Sequence, residues 1–136
     1  MASYNQSVMD LLFDEASEMV PVCGARITAA IVFKNKIISI GRNKNKTHPF
    51  QKRFCKHPDS IILHAENDAI VKALKRISVS DLSKSTIYIA RAKKLNKHSP
   101  FGYGMVKPCE GCTRALAAFN IKTIYYTTEE GTVECL

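Results

Sequence analysis

The apolar positions of this chain change period several times, and each change marks an element. Over residues 5–20, Val8, Leu11, Leu12, Ala16 and Met19 recur at near-helical spacing, with Asp10, Asp14, Glu15 and Glu18 on other faces. This spacing predicts an amphipathic helix, and Pro21 ends it. Ile27 to Phe33 and Ile37 to Gly41 are short β-forming runs on either side of Lys34-Asn35-Lys36, the pattern of a β-hairpin. The segment from Arg42 to about Ser60 carries Pro49, Pro58 and several turn formers, and a loop of that length in a small domain points to function. Ile61 to Ile77 restores a helical stripe through Ile62, Ala65, Ala69, Ile70, Ala73 and Leu74. Asp81 to Lys84 is expected to turn, and Thr86 to Ala92 to form a third strand. After a second loop with Pro100, Gly102 and Gly104, Pro108 precedes a predicted helix reaching about Phe119. Ile121 to Thr128 reads as a fourth strand, Glu129-Glu130-Gly131 as a turn, and Thr132 to Leu136 as a short fifth strand.

The order α-β-β-α-β-α-β-β predicts one α/β domain over residues 1–136, a mixed five-stranded sheet flanked by helices. The interval after the fourth strand is too short for another helix, so the last two strands are expected to form an antiparallel hairpin. Composition agrees: 46% of the 136 residues are apolar, without repeats, low-complexity tracts or a linker. No apolar run approaches the roughly 18–20 residues that cross a bilayer, so no membrane partner is expected. The first residues lack a basic n-region and an apolar h-region, which predicts a cytoplasmic protein.

Charge adds a partner class. The net charge is +8, and six of the 20 lysines and arginines (Arg42, Lys44, Lys46, Lys52, Arg53, Lys56) fall between Arg42 and His57 with no acid among them. A second acid-free stretch runs from Arg91 to Lys107 through Lys93, Lys94 and Lys97. Two basic loops suggest an anionic partner, and a solvated surface would have the same composition.

Cysteine usage supplies the chemistry. An odd count of five, no signal peptide, and a Cys-x-x-Cys paired with a distant histidine favour metal binding over disulfides, leaving Cys23, Cys55 and Cys135 as free thiols. His64-Ala65-Glu66 and Pro108-Cys109-Glu110-Gly111-Cys112 provide three zinc ligands, His64, Cys109 and Cys112, and a carboxylate, Glu66. Structural zinc sites close with four protein ligands, whereas three leave a position for water and a use for a nearby proton carrier. Both half-sites open predicted helices, whose positive N-terminal ends favour thiolate over thiol.

The His-x-Glu and Pro-Cys-x-x-Cys pair is the signature of zinc nucleobase deaminases. Over nearly its whole length the chain resembles the cytidine and deoxycytidylate deaminase superfamily. Within it, the chain is most similar to small bacteriophage-encoded deaminases, through Lys46-Thr47-His48-Pro49, Leu63-His64-Ala65-Glu66 and Lys107-Pro108-Cys109. The resemblance implies a three-layer cytidine deaminase-like fold, a homo-oligomer and, for a phage protein, the host cytoplasm. It implies one catalytic Zn²⁺ on His64, Cys109 and Cys112, with Glu66 moving protons, Ala65 and Pro108 beside the base, and Asn43 contacting base and sugar. Asn43 is also an ordinary turn residue at a strand end.

Three features depart from the family. Lys107 stands where relatives often have serine, threonine or glutamate, and would meet a phosphate or be solvated. The terminal hairpin resembles the cytidine deaminase branch despite the histidine ligand. Cys55, His57 and nearby His48 resemble the extra zinc site of some viral deoxycytidylate deaminases, without a clear fourth ligand.

Arg42, Lys44 and Lys107 precede the zinc-site helices and are expected to rim the pocket, which favours a cytosine nucleotide resembling dCMP over a neutral nucleoside. Single-stranded DNA or RNA is the alternative partner, with Phe50, Phe54, Phe101 and Tyr103 available for stacking in the same loops. A non-catalytic zinc module is a third reading, and Glu66 argues against it, since a structural site has no use for that carboxylate.

Overall fold

The computed structural model describes residues 4–22, 24–44, 64–94, 96–108 and 110–136. Helix α1 (Gln6–Glu18) leads to strands β1 (Arg26–Phe33) and β2 (Lys36–Arg42). Helices α2 (Ala65–Ala73) and α3 (Val79–Leu82) precede β3 (Thr86–Lys93) and β4 (Gly102–Tyr103), and α4 (Glu110–Ala118) precedes β5 (Thr123–Thr127) and β6 (Val133–Cys135).

Five strands lie in the order β2-β1-β3-β5-β6, and the short β4 pairs with the end of β3. Among the described strands only β3 and β5 pair parallel, joined by the crossover through α4; the other described neighbours are antiparallel, β5 and β6 included. The sheet is therefore mixed, with the terminal hairpin that the short interval predicts. Two features go beyond the sequence reading. Asp81 to Lys84 falls partly within the one-turn helix α3, started by Ser78, whose side chain accepts from the Asp81 N–H. The second basic loop contains β4.

Side chains alternate across the sheet and both faces are covered, which makes three layers. Ala29, Ile31, Ile87, Ile89, Ile124 and Tyr126 face the α2 and α4 side, packing with Ala69, Ile70, Ala115 and Leu116. Ala30, Tyr88, Ala90 and Tyr125 face α1 and meet Val8, Met9 and Leu12. Local chemistry agrees at the element ends. Asn5 caps α1 by accepting from the N–H groups of Ser7 and Val8, and Lys34 and Asn35, both at positive φ, make the tight two-residue turn of the β1–β2 hairpin. Asn120, at φ 59°, ends α4 with Asn120 N–H on Ala117 O and Ile121 N–H on Leu116 O, a Schellman motif.

One close approach positions the site. Gly41 of β2 lies so near the first turns of α2 that a Cβ there would stand 2.4 Å from the Ala65 carbonyl oxygen and 2.4 Å from the Ala69 nitrogen. Both are backbone atoms, which cannot swing aside. Gly41→Ala is therefore expected to lose about 3 kcal/mol in denaturant unfolding, the upper part of the usual overpacking range. A loss below about 0.5 kcal/mol, typical of an unconstrained surface position, would show that β2 is not seated on α2 this way.

Candidate active site

A cavity of about 280 Å³ opens where the start of β1, the end of β2 and the start of α2 meet the strand of chain before α4. Val22, Ala25 and Ile27 form one wall, Asn43 another, His64, Ala65 and Glu66 a third, and Met105, Val106 and Lys107 the last.

His64 is the N-cap residue of α2 but makes no side-chain capping bond. Its ring turns instead to α4, with Nδ1 3.2 Å from Cys112 Sγ. Cys112 is fully buried. The Glu66 carboxylate completes the group, one donor atom from each of His64, Glu66 and Cys112 lying within 4.8 Å of the other two. Glu66 is only 4% exposed, so its charge must be answered locally. Cys109 lies outside the described residues, as do Cys55, His57 and His48 with the extra-zinc expectation.

These donors suit zinc. An imidazole nitrogen and a thiolate sulfur on one tetrahedral zinc stand about 3.6 Å apart, given bonds of roughly 2.1 and 2.3 Å, so the 3.2 Å pair needs only a slight spread to share an ion. The arrangement arises because α2 and α4 begin at the same end of the sheet, with the donors in or beside their first turns.

The substrate-binding expectations divide. Asn43 and Ala65 line the cavity, and Lys107, exposed, stands at its edge. Pro108 is buried ahead of α4 without being among the lining residues. Asn43 also has a structural part: its Oδ1 accepts from Ile27 N–H at 3.2 Å and its Nδ2 donates to Ala25 O at 3.1 Å. One amide hydrogen and one carbonyl lone pair remain for a ligand. Arg42 and Lys44 are not on the cavity wall. The Arg42 guanidinium pairs with Glu15 of α1, and the Lys44 ammonium meets Asp68 Oδ1 at 3.1 Å. In the second basic stretch, Lys93 pairs with Glu129 at 3.3 Å and Lys94 lies 4.5 Å over the Phe101 ring.

Asp68, which sequence reasoning passed over, is 3% exposed. Burial alone would raise its pKa, but the Arg42 N–H and the ammonium groups of Lys72 and Lys44 outweigh burial and hold it below the usual carboxylate range. Its spacing from Lys72 is that of an ordinary helix surface pair, so no sequence signal separated it from a solvated acid. The apolar wall, Val22, Ala25, Ile27, Met105 and Val106, likewise carries no chemistry that a motif would reveal.

A mixed three-layer fold thus brings a His-Glu-Cys group together at the starts of two helices. The chain belongs to the cytidine and deoxycytidylate deaminase family of zinc-dependent hydrolases, whose "Cytidine and deoxycytidylate deaminase zinc-binding region" matches residues 2–128. No curated protein sequence matches it. Among solved structures it is similar to the dCMP deaminase of cyanophage S-TIM5 in apo form, at 21% identity and TM-score 0.60 over 89% of this chain and 79% of that one. The same phage enzyme in complex with dCMP and dUMP matches at 21% identity and TM-score 0.51, covering 88% of this chain and 75% of that chain. Cytidine deaminase from Burkholderia pseudomallei matches at 16% identity and TM-score 0.64, covering 98% of this chain and 92% of the other. At these identities the likeness speaks for the fold.

Proposed function

We propose that this protein hydrolyses the exocyclic amine of a cytosine nucleotide resembling dCMP, giving the uracil nucleotide and ammonia. The observation that carries the reading is the convergence of His64 Nδ1, Cys112 Sγ and the buried Glu66 carboxylate beside a cavity of about 280 Å³ that His64 and Glu66 line. That volume is close to the lower bound for small-molecule sites, which suits a base inserted edge-on with its sugar and phosphate toward the mouth.

His64 and Cys112, with Cys109, would hold one Zn²⁺. When bound, zinc would lower the pKa of water to about 7 and so make a nucleophile available at neutral pH. Glu66 would take a proton from the attacking water, deliver it to the ring nitrogen next to the attacked carbon, and then pass the second proton to the departing amine. The C–N bond breaks as the carbonyl forms, so water and the aminopyrimidine balance against ammonia and the pyrimidinone. Ala65 N–H, at the first position of α2, has no partner in its own helix and would donate to the base. Asn43 offers its remaining donor and acceptor to base or sugar. Lys107 is the described cation at the cavity and would meet a phosphate. The cyanophage relative was solved with dCMP and dUMP, which supports the nucleotide over the free nucleoside.

Single-stranded nucleic acid is the second reading, favoured by the net charge of +8. Against it, the described cations Arg42, Lys44 and Lys93 are paired with acids instead of forming a continuous groove. Among the described residues no helix is long and apolar enough to cross a membrane, and a cytoplasmic homo-oligomer belongs to the same proposal.

Substrate class is read from kcat/KM for cytidine, dCMP, dCTP and a cytosine-containing oligonucleotide over a range of salt. The nucleotide reading expects dCMP to be preferred, with a shallow salt dependence from one phosphate. A preferred oligonucleotide whose affinity falls steeply with salt, as when many phosphates are neutralised, would replace it.

A further inference from the structure

Asn43 faces the cavity at the end of β2, an outer strand among those described, and the segment that carries it is held from two sides. On the sheet side, Asn43 bonds to β1 through its amide side chain and through its own N–H, which lies 3.3 Å from Ile27 O. On the helix side, Asp68 accepts the Arg42 N–H on Oδ2 at 3.0 Å and the Lys44 ammonium on Oδ1 at 3.1 Å, so it grips the residues immediately before and after Asn43. Lys72, one turn along α2, reinforces the grip, with Nζ 3.0 Å from Asp68 Oδ2 and 3.1 Å from Ile40 O. Ser39 Oγ donates to Ala69 O at 2.8 Å just behind it. Arg42 N–H and Ile40 O are the outward-facing groups that an edge strand leaves unpaired, and α2 supplies their partners.

Asp68 stands two residues after Glu66 on the same helix. We propose that Asp68 is a positioning residue for the deamination site: by clamping Arg42 and Lys44 to the helix that carries Glu66, it fixes Asn43 across the cavity from that carboxylate and so sets the affinity for substrate. This rests on the cytosine nucleotide reading above. The reason lies in geometry. An outer strand end tied only to β1 would move with β1 and not with the proton carrier, whereas the Asp68 clamp makes Asn43 and Glu66 parts of one rigid unit. Small displacements between a binding group and a reacting group are costly in productive binding.

The test compares zinc-loaded wild type, Asp68→Ala and Asp68→Asn by steady-state kinetics, thermal unfolding, and amide hydrogen exchange of Arg42 and Asn43 followed by NMR. Asp68→Ala is expected to raise KM on the order of tenfold with kcat within about threefold, the split that marks lost binding in place of lost chemistry. Asp68→Asn keeps an acceptor for the Arg42 N–H and is expected to fall between. Exchange should accelerate at Arg42 and Asn43 while Ile70 stays protected. A lower melting temperature with unchanged KM would make Asp68 a merely structural clamp and overturn the proposal, as would unchanged protection at Arg42 and Asn43. If Asp68→Ala does not fold, Asp68→Asn must show the same direction in KM and exchange. If the wild type turns over no cytosine compound, the functional reading falls, and exchange alone then decides whether Asp68 holds Asn43.

Discussion

Glu66→Gln is expected to keep its zinc and lose nearly all deamination, with kcat down by about 10³ to 10⁴. Glutamine preserves the shape of the side chain and one acceptor oxygen but cannot accept a proton. A positioned acid or base is worth about 10² to 10⁴ in rate, and Glu66 is asked to act twice in each turnover, which places the loss near the top of that range. A factor of 10⁴ corresponds to about 5.4 kcal/mol of barrier. Burial strengthens the expectation, because a carboxylate 4% exposed leaves little room for bulk water to replace it. Zinc content by mass spectrometry and ammonia release together read the result. Substantial turnover in a zinc-loaded Glu66→Gln protein would end the assignment of Glu66 as proton carrier.

Cys112→Ser is expected to remove both metal and activity. Cys112 is fully buried, faces His64 Nδ1 at 3.2 Å, and sits in the first turn of α4, where the helix end favours thiolate. A serine hydroxyl in the same place stays protonated and is a far poorer zinc ligand. Because zinc binds the folded chain, its loss also removes stabilisation, about 4 kcal/mol for a metal present at a thousand times its dissociation constant. Chelation should therefore lower the melting temperature of the parent and leave that of Cys112→Ser unchanged. A variant that still binds one zinc per chain and still responds to chelator would show that Cys112 is not a ligand.

Most of the architecture was legible because both sheet faces are covered. Alternation such as Ala29-Ala30-Ile31 and Ile87-Tyr88-Ile89 is apolar throughout, and the turns at Lys34-Asn35 and Gly131 bound it. The parallel β3–β5 pair and its antiparallel neighbours follow once a helix lies between Ala92 and Ile121 and none lies between Thr128 and Thr132. The one-turn α3 and the two-residue β4 were not legible, since elements so short show no period. At the candidate site, His64, Glu66 and Cys112 stand out in the sequence by type and spacing, and the structure brings the three together. Arg42 and Lys44 show where that reasoning stops. Counting cations reveals a basic stretch but not which acids fold against it, and Glu15 comes from α1 while Asp68 comes from α2. Gly41 carried no signal either, because its need for hydrogen in place of a Cβ arises only when α2 docks on β2.

The most direct measurement is ammonia release by the purified protein carrying one zinc per chain, offered cytidine, dCMP, dCTP, adenine and guanine compounds and a cytosine-containing oligonucleotide. Turnover of a cytosine nucleotide, abolished by chelation and restored by zinc, is the predicted result. A folded, zinc-loaded protein that releases no ammonia from any of them would contradict the account.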